Sequence, residues 1–421
     1  MLSSLNLLNF KNSFPILLII LLPPATVSGP AIPDVILSLL GLIFIFVSYR
    51  EKLKQYYLNI FSIWFLIFYF IILTSSLLSF DPLTSLFKRE SFFYFRFYLF
   101  SLSVCYFVNK YPLIIKYLAF SILITIIIVI IDGSFEYFRG ISLFGVHSAE
   151  TRLFGLFIDE PIVGRFISSS TMLFVCLMIY FYGYDNNKII LLIFFILMLG
   201  EVFTFMSGER SAFGMIVAFS IGGLVLVNKR RIERLLFIII TIISVLLLTF
   251  FQDRTGDRIE QTFNEVQSGN FVAIASSPIH DQHYSSAILM FKENPIWGIG
   301  SNLFRHACSN DAFITGPESC TTHPHHYYIQ ILAENGLIGF ITFFLVFLMI
   351  TYKLTIHFAG MIFKKEKIKI DDKILPLYIF LFVIITPFLP HGGFYNNWTN
   401  VPIFIGLGIF LSIFIKNNKI G

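Results

Sequence analysis

The sequence predicts an all-α polytopic membrane protein, with about twelve transmembrane helices and a long, partly helical loop on the outer face, in a single membrane domain over 1–421. Three observations predict it. Of the 421 residues, 56% are hydrophobic and only 13% charged, against about a quarter charged in a soluble domain. Fifty-two phenylalanines and long Ile/Leu runs, with a mean hydropathy of +0.80, exceed what one soluble core can bury. Runs such as "SILITIIIVII" and "LLFIIITIISVLLLTFF" approach or reach the ~20 residues that cross a bilayer. Backbone in hydrocarbon must satisfy its own hydrogen bonds, so these runs are expected to be helices.

Twelve candidate spans lie near 13–29, 34–49, 58–79, 92–108, 113–132, 166–183, 188–206, 211–228, 235–251, 336–357, 374–390 and 400–416. The first has the look of a signal peptide, but a second apolar run follows within a few residues, so both are expected to be retained. Orientation follows the basic residues of short loops. "YREKLKQYY", "NKRRIERL", "KKEKIKIDDK" and "KNNK" all fall on one side of a twelve-span chain. That side is expected to be cytoplasmic and to hold both termini. The net charge of +5 is largely this bias, and no nucleic-acid partner is implied.

The opposite face holds a periplasmic segment near 133–165, a periplasmic loop near 252–335, and short loops such as "HGGFYNNWTN". On or near it sit Arg139, Arg152, Arg165, Arg210, Arg254, Arg258 and Arg305, with Lys292 the only lysine of the long loop. The planar guanidinium fork matches phosphate oxygens, whereas lysine is a point charge. Arginines kept where positive charge is normally shed suggest an anionic ligand; individually each could also snorkel to headgroups or pair with an acid. Cys308 and Cys320 share the long loop, where an oxidising compartment favours a disulfide. Two free thiols, or a metal site with His323, are the alternatives; zinc sites usually show tight Cys-x-x-Cys pairs, which are absent.

Three polar segments interrupt the apolar texture of this face. "ETRLFGLFIDEPIVGRF" carries Arg152, Asp159, Glu160 and Arg165, and "FMSGERSAFGM" places Glu209 and Arg210 between two spans with almost no loop. A Glu–Arg pair at membrane depth marks a functional site by default, or a structural ion pair that locks the hairpin. Within the long loop, "RTGDRIEQTFNEVQ" reads as a helix with Arg254 and Arg258 one turn apart. "HYSSAILMFKENPIWGIGSNLFRHAC" reads as an amphipathic helix and a Gly-rich turn, with His280 and His283 at its start.

The third segment is "TTHPHHYYIQILAENGLIGF", with His323, His325 and His326 within four positions. Pro324 favours a helix start at or near 325. His325 is then expected at a helix N-terminus, which depresses an imidazole pKa and keeps the ring ready to take a proton. A metal needs three or four convergent ligands. The three histidines are too tightly spaced to supply them by themselves, although His280 or His283 could join; a cap or interface role is the third alternative. No metal and no cofactor are expected.

Taken together these residues resemble a known family. "HHYYIQILAENGLIG" resembles the signature of the O-antigen ligase and O-antigen polymerase superfamily, most closely the ligases. "SGERSAFG" is similar to that family's arginine-bearing turn, "NPIWGIGSNLF" to its Pro…Gly-x-Gly segment and "TRLFGLFIDEPIVG" to its Arg…Gly segment. The resemblance covers roughly 150–345, a ligase-like core region. It implies a metal-independent, inverting glycosyl transfer on the periplasmic face of the bacterial inner membrane. The donor would be a glycan on undecaprenyl pyrophosphate, and the acceptor a lipid A–core sugar hydroxyl or a second glycan.

By match to the family turn, Arg210 is the first candidate ligand of the donor pyrophosphate and Arg152 the second. His325 matches the family's key histidine. Glu209, His323 and Glu160 are expected to support the site. Two positions depart from the family pattern. His326 stands where the family commonly has Asn. "HDQHY" replaces an arginine of the long-loop helix, so that Arg258, Arg305 or His283 would have to stand in. Three functions follow in order: O-antigen ligase; polymerase extending the lipid-linked glycan, or a transferase acting on protein side chains; and, from another class, a polysaccharide or lipid transporter. Transporters often show internal repeats and midplane charges; no repeat is found, and the charges gather at one face.

Overall fold

The structure is a computed structural model and describes residues 10–89, 91–147, 152–157, 160–251, 253–267, 278–365 and 368–417. Within them the chain forms helices α1 (Phe10–Val27), α2 (Ala31–Arg50), α3 (Ile60–Leu77), α4 (Phe95–Lys110), α5 (Ile114–Arg139), α6 (Val163–Tyr182), α7 (Asn187–Met206) and α8 (Arg210–Leu226). There follow α9 (Arg231–Phe251), α10 (Asp253–Gln267), α11 (Pro278–Glu293), α12 (Phe304–Ala307), α13 (Tyr327–Ile362), α14 (Leu375–Ile384) and α15 (Asn397–Asn417). Among the described residues nine helices are long and apolar enough to cross a membrane. The other three expected spans coincide with the shorter apolar helices Ser13–Val27, Arg210–Leu226 and Leu375–Ile384. The protein is an all-α, multi-pass membrane protein.

Several boundaries differ from expectation. α5 continues past 132 to Arg139 and ends at Gly140, whose φ of 75° is a left-handed helix cap. The span expected to reach 390 stops at Ile384. The long loop is partly helical, with α10, α11 and α12 inside it.

The chain divides into two compact units. The first comprises Met1–Ile36, Phe107–Ile274 and Thr351–Ile384, and the second Leu37–Tyr106, Ala275–Ile350 and Ile385–Gly421. In the first, α6 is the most enclosed span, 89% buried, and it packs on α5, α7, α8 and α14. Small residues permit this: a Cβ on Gly200 of α7 would meet the Thr171 side chain of α6 at 2.6 Å, the close approach that drives helix association in lipid. α9, by contrast, is only 11% buried, with Ile232, Leu236 and Phe250 exposed, as suits a lipid-facing helix. Glu201 of α7 is held by the hydroxyls of Ser220 and Thr241, the latter at 2.8 Å.

In the second unit the phenylalanine-rich spans pack as aromatic pairs. Phe65 stacks on Tyr98 with centroids 4.3 Å apart, and Phe394 meets Tyr94 at 5.4 Å. Such pairs add about 0.5–1.5 kcal/mol beyond area burial. Around this core lie the start of α13, α11 and the segments that join them.

Candidate functional site

The site grows from the two ends of the 278–327 segment. α11 carries His280 and His283 three positions apart, one above the other on the same helical face. The chain returns through residues 315–326, which α11 holds in place: Thr315 Oγ1 donates to the Gln282 carbonyl (2.9 Å) and the Glu318 N–H to Gln282 Oε1 (3.0 Å). Cys308 and Cys320 are joined by a disulfide, with Cα atoms 4.9 Å apart, so the same segment is tied to α12.

His325 then adopts a left-handed backbone, φ 56°, which costs a side-chain-bearing residue about 1–2 kcal/mol. Its carbonyl accepts the His391 N–H at 2.8 Å, which holds the bend. The result is a histidine cluster. The His325 ring lies 4.8 Å from His280 with planes 20° apart, 5.4 Å from His283 and 4.2 Å from His323. Strained backbone of this kind collects at functional sites.

His325 does not cap the helix. α13 begins at Tyr327, one or two residues later than expected, and His326 occupies the capping position. Its carbonyl accepts the Gln330 N–H (2.8 Å), and its Nδ1 lies 3.4 Å from the Ile329 N–H. Its Nε2 donates to the Pro387 carbonyl at 3.1 Å. A ring nitrogen thus does the work of a capping side-chain oxygen. Burial holds the His326 pKa below the usual imidazole value, against the pull of the Pro387 carbonyl. The neutral, structural ring is therefore His326, and it leaves His325 ahead of the helix facing its neighbours.

The glycine motifs brace this arrangement from behind. α13 breaks at Gly336, φ 66°, where a Cβ would run into the Ile296 carbonyl. The break frees carbonyls of the preceding turn, and the Gly-x-Gly segment takes them up. Ile299 N–H donates to the Ala333 carbonyl (3.0 Å) and Gly300 N–H to that of Glu334 (3.1 Å), while Leu337 N–H donates to Pro295 (2.8 Å). Gly298, φ 74°, has no room for a Cβ against the Glu334 backbone. Below the kink lies a buried polar network absent from the sequence reading. Glu334 accepts from Phe304 N–H (3.0 Å) and Gln330 Nε2 (3.2 Å), Gln330 Oε1 accepts from Phe394 N–H (3.0 Å), and Asn335 is bonded to Ser301 and Tyr395. An acid inside an apolar helix is the readable signal that would have found it.

In the first unit, Glu209 closes the N-terminus of α6. Its carboxylate accepts Gly164 N–H at 2.6 Å and Arg165 N–H at 3.2 Å, where the helix dipole favours an anion. Burial raises its pKa, and the charges of Arg152 and Arg165 pull it back down. Arg152, Arg165 and Glu209 are thus brought together across a long sequence separation, and Leu153 N–H bonds to the Ser207 carbonyl (3.2 Å) to fix the approach. Glu136 anchors the same segment, accepting Phe154 N–H (3.0 Å) and Gly155 N–H (2.6 Å). Arg210 is half-buried at the first turn of α8.

Glu160 is exposed. Arg305 sits in α12 of the second unit, where its charge, after burial, lowers the pKa of Arg89. Arg89 Nε donates to His306 Nε2 at 2.6 Å; neither Arg89 nor His306 was picked out by sequence. The side chains of Arg254 and Arg258, and Asp159, lie outside the described residues. Burial lowers the His283 pKa, opposed by the Glu318 carbonyl and carboxylate, so His283 is a poor carrier of positive charge.

Chemically, the cluster offers imidazoles able to take a proton or to ligate a metal, and the first unit offers guanidinium groups suited to an anion. No curated protein matches the chain. Residues 193–344 match the family described as O-antigen ligase, so over that stretch the chain is similar to that family.

Proposed function

We propose that the protein is a glycosyltransferase of the O-antigen ligase type, working at the periplasmic face of the bacterial inner membrane with both termini in the cytoplasm. Members of the family that residues 193–344 match are glycosyltransferase-like enzymes whose substrates are a lipid-linked glycan and an acceptor in the membrane. The donor here is a glycan on undecaprenyl pyrophosphate and the acceptor a sugar hydroxyl of the lipid A–core. That hydroxyl oxygen attacks the anomeric carbon, the bond to the pyrophosphate oxygen breaks, and the configuration inverts. His325 takes the hydroxyl proton, assistance typically worth ~100- to 10,000-fold. Charge grows on the departing pyrophosphate and needs preorganised cations. Arg210 and Arg152 are assigned to it, with Arg258 or Arg305 as further ligands; Glu209 positions Arg152, and His323 packs beside His325.

The observation that carries this reading is His325 itself. It lies inside the family-matched segment, on a strained backbone that His391 holds, with its ring among other histidines. The test uses purified protein and a lipid-pyrophosphate-linked glycan, with lipid A–core and a second lipid-linked glycan offered separately. Extension of lipid A–core supports the ligase. Extension of only the second glycan makes the protein a polymerase, and no transfer to either overturns the reading.

A further inference from the structure

We propose that His280, His283 and His325 form a binding site for a borderline divalent transition-metal ion of the zinc, cobalt, nickel or copper class. One ligand nitrogen from each ring lies within 4.8 Å of the others. A tetrahedral ion with bonds of about 2.0–2.1 Å needs nitrogens roughly 3.4 Å apart, so modest ring rotations close the site. Three histidines with a fourth position open is a ligand set that zinc uses. Imidazole-only ligation disfavours magnesium and calcium, which take oxygen.

His283 supplies the second, independent observation. It is 5% exposed, and its Nδ1 is buried with no hydrogen-bond partner among the described residues. A hydrogen bond joins the ring to the Glu318 backbone carbonyl, which leaves Nε2 as the donor. Nδ1 therefore carries a lone pair directed into the protein. Metal-ligating histidines are commonly set up in this way, one nitrogen donating to a carbonyl and the other free for the ion. The carbonyl is itself fixed, because the Glu318 N–H is bonded to Gln282 on α11. A buried lone pair without a partner is otherwise destabilising, and a bound ion would satisfy it. The histidine pair at i, i+3 on α11 and His325 from the returning segment give the geometry, and the 308–320 disulfide limits how far that segment can move away.

A consequence rests on the reading of His325 as proton acceptor. An ion on its ring occupies the lone pair that would take the proton, so metal occupancy and transfer exclude one another.

The test uses the full chain, purified in detergent and stripped with a chelator. Cobalt(II) is titrated and its visible absorption followed, then displaced with zinc(II). One equivalent is expected, with bands of a low-coordinate nitrogen-ligated ion, unchanged by excess magnesium or calcium. His280→Ala and His283→Ala should each weaken binding more than about tenfold, since losing outer-shell partners alone runs to 10–100-fold; His147→Ala, at an exposed position, should not. The cobalt spectrum of the unmutated protein reports the ligands even if a variant misfolds. Absence of stoichiometric binding, or binding indifferent to both variants, overturns the site. Stoichiometric binding that leaves transfer at full rate keeps the site and overturns the role given to His325.

Discussion

The imidazole of His325 stacks on that of His280, ring centres 4.8 Å apart and planes inclined by 20°. One ring comes from the first turn of α11 and the other from the bend ahead of α13, so the contact joins the two ends of the segment that forms the site. Stacking of this kind is worth about 0.5–1.5 kcal/mol. Loss of it in His280→Ala should slow glycan transfer by about two- to twelvefold, and His280→Phe, which keeps a flat ring, should recover most of the rate. Initial rates with a lipid-linked donor measure this. A His280→Ala enzyme as inactive as His325→Ala would show that His280 does more than pack.

Gly336→Ala and Gly140→Ala share a left-handed backbone but differ in surroundings. A Cβ at Gly140 meets nothing within 4 Å, whereas at Gly336 it enters the Ile296 carbonyl. Gly140→Ala should therefore cost only the backbone term, about 1–2 kcal/mol. Gly336→Ala should cost distinctly more and disturb the Gly-x-Gly contact. Thermal unfolding in one detergent compares them; equal losses would mean that the kink yields easily.

Glu209 makes stability depend on pH with a definite sign. Burial raises its folded-state pKa above the ordinary carboxylate value, about 4.3 when unfolded. The folded protein therefore binds this proton more tightly than the unfolded chain. The contribution is fully present below the unfolded pKa and is lost as pH rises through the folded one. Glu209→Gln lacks it, so unfolding midpoints of the two proteins should shift in favour of the variant as pH rises through that window, then run parallel. A difference that moves the other way would mean that Arg152 and Arg165 outweigh burial.

Arg210→Lys keeps the charge and loses the fork. If Arg210 grips a pyrophosphate through two parallel N–H bonds, transfer should fall on the order of a hundredfold, the usual scale for removing a preorganised donor, with normal membrane insertion. Wild-type rates in this variant would remove Arg210 from the donor site.

Much of the fold was legible because apolar length is a direct record of bilayer thickness. All twelve expected segments fall on helices, nine of them full-length candidates among the described residues. Their ends were less legible, since Gly140 and the non-helical stretch after Ile384 depend on neighbours. The site was half visible. "HPHHYY" marked the right place, but which histidine caps and which faces its neighbours is decided by Pro387 and His391, far away in sequence. Glu209 stands next to Arg210 in the sequence, yet its carboxylate reaches the start of α6. That two charges are adjacent on a turn is written in the sequence, but which distant backbone groups a carboxylate reaches is not.

The most direct measurement is transfer by purified His325→Ala in bilayers, with a lipid-pyrophosphate-linked glycan as donor and lipid A–core as acceptor. Loss of at least ~100-fold in rate, with insertion and donor binding intact, is the predicted result. Transfer at the wild-type rate would contradict it and remove the imidazole from the chemistry.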